Sequence, residues 1–230
     1  MEHSNCAGCP LEPAERACVT EKGMGPAHCP TLNRELVDRV RKEYEGPELR
    51  EFALQASIQE AEGYSGRAPN NDCPVPAKPR IQEIAEFSAR MKYRKLGLVF
   101  CIGLRREAAL VEEFLSGKGF QVVSVVCKAG RVPKEELGVL DGQKIRPGSS
   151  ESMCNPVMQA LVLNGAETEF NIVLGLCVGH DSIFFQYSKA PCTVLAAKDR
   201  PSGHNPMAAV YTLSSYHRYL NRNGPDTKDD

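Results

Sequence analysis

The apolar residues of the second half of the chain fall into short continuous runs. The runs are LGLVFCIG (96–103), QVVSVVCKAG (121–130), FNIVLGLCVG (170–179) and PCTVLAAKD (191–199). Continuous apolar runs of this length, bounded by turn residues, are typical of strands buried on both faces of a parallel sheet. The pattern therefore predicts a sheet of about four strands.

Segments with helical spacing of apolar residues lie before, between and after these runs. They are RIQEIAEFSARMKY (80–93), REAALVEEFLSGKG (106–119), NPVMQALVLNGA (155–166) and NPMAAVYTLSSYHRYL (205–220). Strands that alternate with helices of this length predict βαβ units with right-handed crossovers. We expect an α/β fold, a Rossmann-like domain with a three-layer parallel sheet over residues 79–222, followed by a flexible tail over 223–230.

The N-terminal part of the chain does not show this alternation of strand and helix patterns. Residues 1–30 are rich in Cys, Pro and Gly and show no periodicity, so we expect this cysteine-rich arm to be disordered or held by a ligand. Residues 31–78 predict a helical segment followed by a proline-rich linker, with Asn33 as the cap of the first helix.

Charge and composition exclude several classes of partner. The chain has 28 Lys and Arg against 29 Asp and Glu, which gives no general attraction to nucleic acid or to anionic membranes. We find neither the features of a secretory signal nor an apolar run of about 18 residues, and we expect a cytoplasmic protein. In a reducing compartment, the ten cysteines indicate metal or thiol chemistry rather than a disulfide framework.

Four cysteines are expected at one edge of the sheet. Cys101, Cys127 and Cys177 close the first three predicted strands, and Cys154 lies in a loop that enters a helix through Pro156. One cysteine at a strand end is an ordinary packing residue, but the repetition favours a site, because parallel sheets bind ligands at their carboxyl edge. We predict that the four cysteines share one metal or cofactor.

The spacing of neighbouring strands bears on the kind of metal. If the strand order is 2-1-3-4, Cys101 and Cys177 lie on adjacent strands, about 4.8 Å apart. A zinc ion needs its sulfur ligands within about 4 Å of one another, whereas an iron–sulfur cluster spreads its thiolates more widely. The geometry favours an iron–sulfur cluster and leaves zinc as the alternative.

The arm contains a second set of four cysteines: Cys6, Cys9, Cys18 and Cys29. The spacing matches neither the common zinc ribbons nor the bacterial ferredoxin pattern, although Cys6 and Cys9 form a chelating pair. We predict a metal site here, with free thiols in a flexible arm as the alternative. Cys192 is expected in the core, and Cys73, in the linker, is expected to have no role.

Two histidines flank the predicted sheet edge. His180 and Asp181 follow Cys177, and His204 lies in the loop after the fourth strand. They are candidates for acid–base catalysis, metal ligation or substrate contact, although a loop histidine is often only solvated. Asp181 or Ser182 could also cap a following helix. Nucleotide-binding glycine motifs and the G-x-S-x-G elbow are absent.

Four motifs together resemble a family of bacterial and archaeal proteins catalogued as a domain of unknown function. The motifs are CAGCP, ESMCNPVMQA, FNIVLGLCVGHDSIFFQYSKAP and VLAAKDRPSGHNPMAAVY, and they cover most of the chain. Members of this cysteine-rich family are often labelled predicted metal-binding proteins. The resemblance implies metal binding through Cys6, Cys9, Cys154 and Cys177, and it implies no reaction.

The sequence thus favours a metal-binding protein, with an iron–sulfur cluster and a redox or electron-transfer role that needs a redox partner protein. Two alternatives stay open. One is an enzyme that acts on a small-molecule substrate at the edge formed by Cys177 and His180. The other is a zinc-stabilised interaction module. A brown colour with visible charge-transfer absorption would distinguish iron–sulfur from zinc.

Overall fold

The computed structural model describes residues 3–69, 71 and 73–221, and the chain divides into two compact units, which are described separately. The N-terminal unit comprises residues 1–62 and the C-terminal unit residues 63–230. In the N-terminal unit, helices α1 (Arg34–Glu43) and α2 (Pro47–Glu62) follow the arm. The Asn33 side chain accepts a hydrogen bond from the Leu36 N–H at 3.0 Å, so Asn33 is the predicted cap of α1.

The C-terminal unit contains the sheet. Its elements in chain order are β1 (Tyr64–Ser65), β2 (Val75–Pro76), α3 (Arg80–Arg90), β3 (Lys95–Phe100), α4 (Arg105–Gly117), β4 (Gln121–Val126), α5 (Pro156–Gly165), β5 (Phe170–Leu174), α6 (His180–Tyr187), β6 (Cys192–Ala196) and α7 (Met207–Tyr211). Strands β4, β3, β5 and β6 form a parallel sheet in that order. This arrangement confirms the predicted α/β class and has the strand order assumed from the sequence.

Alternating side chains on the strands face two helical layers. On one face, the rings of Phe87 in α3 and Phe170 in β5 pack with their centroids 5.4 Å apart, and α4 lies beside α3. On the other face, α5 and α6 pack against a buried apolar cluster. It contains Val99, Cys101, Val125, Cys127, Ala160, Leu163, Val173, Leu176 and Phe184. Cys101 and Cys127 therefore continue the strand alternation on the α5 face of the sheet.

A buried polar network lies at the amino end of β5. The Asn171 side chain accepts a hydrogen bond from Thr168 Oγ1 and donates one to Ser188 Oγ, both at 2.8 Å. The Cys192 thiol donates to Ser188 Oγ at 3.2 Å. Gly97 of β3 is paired with Asn171 of β5. Because glycine has no side chain, the Asn171 side chain can occupy the space above Gly97. This network places Cys192 at the end of the sheet opposite the carboxyl edge.

Strand β5, which corresponds to the third predicted strand, is shorter than the sequence predicts. β5 ends at Leu174 because Gly175, with φ of +65°, turns the backbone out of the strand. The next helix also begins without the expected side-chain cap. The Cys177 carbonyl accepts hydrogen bonds from the N–H groups of His180 and Asp181, so α6 starts at His180 and neither Asp181 nor Ser182 caps it.

Two other segments differ from the prediction. Within the expected linker, β1 and β2 pair as a short antiparallel ladder. The final helix, predicted over 205–220, is only α7, with turns and a 3₁₀ turn (Arg218–Asn221) after it. Thr212 Oγ1 donates to the Ala208 carbonyl and contacts His217 Nδ1, which are local bonds that compete with further helix formation. The predicted tail lies outside the described residues.

The helices in the described part of the chain are all too short or too polar to cross a lipid bilayer.

Candidate metal centre

Cys101 and Cys127 meet because of the register of β3 and β4. The last residues of the two strands, Phe100 and Val126, are paired, so the two cysteines follow as the next pair along the sheet. The Cys127 N–H donates to the Phe100 carbonyl at 2.9 Å, which continues the ladder by one residue. Both thiols are buried, with 7% of Cys101 and 2% of Cys127 exposed.

Cys154 reaches the same place from the start of α5. The Asn155 N–H donates to the Cys127 carbonyl at 2.7 Å, which fixes the incoming loop to the end of β4. The Asn155 side chain also caps α5 by accepting from the Met158 N–H at 3.0 Å. Cys154 packs against the apolar cluster and is half-buried. It therefore brings a third thiol to the α5 face of the sheet edge.

The turn after β3 passes beside these sulfurs. The Ile102 N–H donates to Cys127 Sγ at 3.4 Å, and Gly103 lies next to Cys101 Sγ. A backbone N–H group of this kind favours an anion such as a thiolate. The Lys198 side chain adds a positive charge beside Cys101.

The thiols of Cys101, Cys127 and Cys154, which we call the edge thiols, form a row with Cys127 in the middle, because Cys127 follows β4 opposite Cys101 and its carbonyl is bonded to the residue after Cys154. The neighbouring Cys127 thiol, which has one hydrogen to donate to either sulfur, lowers the pKa of Cys101 and of Cys154, against the opposing effect of burial. The positive charge of Lys128 lowers the pKa of Cys154 further. The pKa of Cys127 is raised for the complementary reason, because ionisation would remove the hydrogen that its neighbours use.

Cys177 stands apart from the row. It follows the turn at Gly175, is half-buried, and its Sγ accepts a hydrogen bond from the Arg200 guanidinium at 3.4 Å. Among the residues that the structure describes, the contacts between thiols at this edge join only the other three cysteines. The structure thus brings three of the four predicted cysteines together and places the fourth on Arg200.

The three candidate polar residues have different surroundings. His180 is the first residue of α6, and its Nδ1 is buried and has no hydrogen-bond partner. The Asp181 carboxylate accepts from the Ser182 N–H within the same helix. His204 closes the loop after β6, because its N–H donates to the Asp199 carbonyl and its Nδ1 accepts from the Asp199 N–H. His180 therefore has an unused buried nitrogen, and His204 does not have its Nδ1 available.

Several groups at the edge were missed from the sequence. Lys198 lies at the end of the fourth apolar run, two residues after β6, so the same reasoning that selected the cysteines could have selected it. No pattern in the sequence indicates that Gln159 belongs to this edge. Its Nε2 donates to the Val125 carbonyl at 2.8 Å and to the Phe100 carbonyl at 3.4 Å, and its Oε1 is buried without a partner. Gln159 thereby ties the ends of β3 and β4 together directly beneath the thiols.

The four arm cysteines line one cavity of about 280 Å³, together with His3 and His28. The cysteines are Cys6, Cys9, Cys18 and Cys29. The Ala17 N–H donates to the Met24 carbonyl, and the Met24 N–H donates to the Glu15 carbonyl, both at 2.8 Å. These bonds bend the arm back on itself around the cavity. The arm is therefore folded around its thiols rather than extended.

Both sets of thiols have the donor chemistry of a soft metal site, since thiolates select iron–sulfur clusters and zinc. The unpartnered Nδ1 of His180 adds a possible nitrogen donor near Cys154. Over residues 3–69, 71 and 73–221, no three Cys, His, Asp or Glu side chains stand ready around a single ion position. The side chains at the sheet edge are of the chemical type that binds such a metal group. Their positions would have to change for them to reach one ion together.

Replacing Cys192 with alanine should leave the metal content of the protein unchanged. Cys192 is half-buried at the amino end of β6 and bonds only within the polar network, so we expect a packing cost of about 1 kcal/mol in the free energy of unfolding. Thermal unfolding and metal analysis of the variant test this. A loss of metal from Cys192→Ala alone would contradict the assignment of Cys192 to the opposite end of the sheet.

A family model described as "Protein of unknown function (DUF1847)" matches residues 29–195. The chain belongs to this family. An uncharacterised protein of Methanocaldococcus jannaschii is 40% identical over 179 residues, which cover 78% of this chain and 85% of that protein. No solved structure matches the chain. The family match confirms the resemblance drawn from the sequence motifs.

The matched region includes all four predicted sheet-edge cysteines and one cysteine of the arm. Cys29 lies at its first residue, whereas Cys6, Cys9 and Cys18 lie before it. The sheet edge is therefore part of the region that the family model describes, and most of the arm's thiols are outside it.

Proposed function

We propose that this protein is an iron–sulfur protein with a redox role, and that its principal cluster is bound at the carboxyl edge of the sheet. The observation that carries the proposal is the convergence of three thiols, from the ends of two adjacent strands and the start of a helix, on one face of the sheet. Cys177, on the neighbouring strand end, supplies the fourth ligand after release from Arg200.

Two features favour a cluster over a single zinc ion. The backbones that carry Cys101 and Cys127 are about 4.8 Å apart and Cys154 comes from a third segment, so the ligands reach the site from widely spaced positions, as cluster ligands do. The Ile102 N–H also donates to Cys127 Sγ, and such hydrogen bonds stabilise clusters and help to set their reduction potential. Lys198 and Arg200 place positive charge where the bound cluster would carry negative charge.

The arm supports a second, separate metal site. Its four cysteines line one cavity, so the arm offers four thiolate ligands to a metal or a cluster. An exposed cluster in a small arm could exchange electrons with a redox partner protein. We propose that the two sites bind metal independently, because each unit contains its own set of four cysteines.

The test is to count iron, sulfide and zinc per chain in protein purified without oxygen. The wild-type protein should be brown and contain iron and sulfide. Cys127→Ser should lose about half of the iron, because it removes the central thiol of one of two sites. Cys192→Ser is the matched control, because it changes another cysteine of the same unit that lies outside the proposed site. This variant should retain all of its iron.

Variants of the arm complete the design. Cys9→Ser should also contain about half of the wild-type iron, because it loses the arm site and keeps the sheet-edge site. Cys73 lies outside both sets, so Cys73→Ser should contain as much iron as the wild-type protein. Circular dichroism establishes that each variant is folded. Unchanged iron in folded Cys127→Ser protein would overturn the sheet-edge site, and zinc in place of iron in the wild-type protein would overturn the cluster assignment.

A further inference from the structure

The edge thiols form a row of three rather than a pair. Cys127 lies between Cys101, which follows the neighbouring strand at the same level, and Cys154, whose next residue donates its N–H to the Cys127 carbonyl at 2.7 Å. All three side chains pack in one cluster, so each neighbouring pair needs only modest movements to reach disulfide geometry, in which the Cβ atoms are about 3.8 Å apart. Cys127 is therefore the common neighbour of two potential disulfide partners.

The three thiols differ in their access to solvent. Cys101 and Cys127 are 7% and 2% exposed, whereas Cys154 is half-buried and belongs to a loop. A small molecule from solution therefore meets Cys154 first. The Lys128 ammonium group places positive charge near the Cys154 sulfur, which favours the approach of an anionic molecule.

We propose that the edge thiols, when they hold no metal, form a thiol–disulfide relay whose substrate is a small anionic disulfide. This activity goes beyond metal binding, and it uses the same sulfurs in a different chemical state. Bound metal and the disulfide exclude each other, so oxidation by such a molecule would also keep metal out of the site.

The exchange proceeds in two balanced steps. In the first, Cys154 Sγ attacks one sulfur of the small disulfide, a mixed disulfide forms, and one small thiol leaves. In the second, Cys127 loses its proton and attacks Cys154 Sγ, the protein disulfide forms, and the second small thiol leaves with a proton. In total the protein loses two electrons and two protons, and the small disulfide is reduced to two thiols.

Cys101 gives the relay a third position. Its sulfur can attack Cys127 Sγ in the new disulfide, which moves the S–S bond to the buried pair and returns Cys154 to its thiol form. In every product the disulfide contains Cys127. A disulfide that joins Cys101 directly to Cys154 is not expected, because Cys127 lies between their sulfurs.

The experiment uses the full chain, freed of metal with a chelator and treated with oxidised glutathione as the probe. After rapid alkylation and digestion, mass spectrometry maps the bonds made by each cysteine. In the wild-type protein we expect an edge disulfide that contains Cys127 and little glutathione on Cys154. In Cys127→Ser we expect at least tenfold more glutathione on Cys154 and no edge disulfide.

Two further variants keep the test decisive. Cys192→Ser should behave like the wild-type protein. Cys127→Ala should behave like Cys127→Ser, and because it buries no hydroxyl group, it separates loss of the thiol from any folding defect that a buried serine causes. Equal amounts of glutathione on Cys154 with and without Cys127 would overturn the relay, as would edge thiols that stay reduced while the exposed Cys73 reacts. Because the assay contains no metal, its result is independent of whether the protein binds iron.

Discussion

Gly97→Ala is expected to lower the free energy of unfolding by about 3 kcal/mol. Gly97 lies in β3 between β4 and β5, with the fully buried Leu96 and Leu98 on either side, so its backbone cannot move away. A methyl group at this position would overlap Asn171 Oδ1 and stand 2.5 Å from Leu163 Cδ1. Asn171 cannot rotate aside without breaking its buried hydrogen bonds.

Thermal or denaturant unfolding measures this effect, and for a chain of this length the melting temperature should fall by roughly 6–12 °C. Gly165→Ala is the matched control. Gly165 is the last residue of α5 and has nothing within 4 Å of an added Cβ, so alanine there should be neutral or stabilise the protein slightly. Equal stability of the two variants would show that the space around Gly97 is not filled as described.

Removal of metal is expected to increase the rate of tryptic cleavage in the arm at least tenfold. None of residues 3–31 is buried, and the arm is held by turns and a single bridge between Arg16 and Met24. We expect the proposed metal at the four cysteines to supply most of its order, because metal binding by such segments supplies their folding free energy. Cleavage after Arg16 and Lys22, followed by mass spectrometry, reports the change.

Cys29→Ser should show the same rapid cleavage without a chelator, whereas Cys73→Ser should be cleaved at the rate of the wild-type protein. Cys29 is the right residue for this test because its thiol lies in the wall of the cavity, against the backbone of Gly25. Cleavage that is slow in both the metal-loaded and the metal-free protein would mean that the turns alone hold the arm, and the arm site would lose its support.

The sequence was sufficient to predict the sheet because the information was local. Buried parallel strands appear as continuous apolar runs, and each run was found in its place. The position of Cys101 and Cys127 followed from the same rule, since a residue directly after a strand lies at the sheet edge. Their contact with Cys154 followed less directly, because it depends on the bond between Asn155 and the end of β4.

The relation of Cys177 to the other thiols could not be predicted in this way. Gly175 was read as part of the apolar run, and its positive φ turns the chain before Cys177 is reached. Its partner, Arg200, comes from the loop after β6, and pairings between loops leave no periodic signal. The role of Gln159 is hidden for a similar reason, because a single polar residue in an apolar helix does not indicate which carbonyl groups it binds.

Arg80, at the start of α3, donates to the Val194 carbonyl at 2.5 Å and to Thr193 Oγ1 at 2.9 Å. Since β6 is an outer strand of the sheet, a free carbonyl there could pair with a strand of another molecule. By occupying it, Arg80 leaves one carbonyl fewer on this edge for a strand of another copy of the chain. Fewer edge contacts between copies also keep the exposed cysteines of different chains, such as Cys73, further apart.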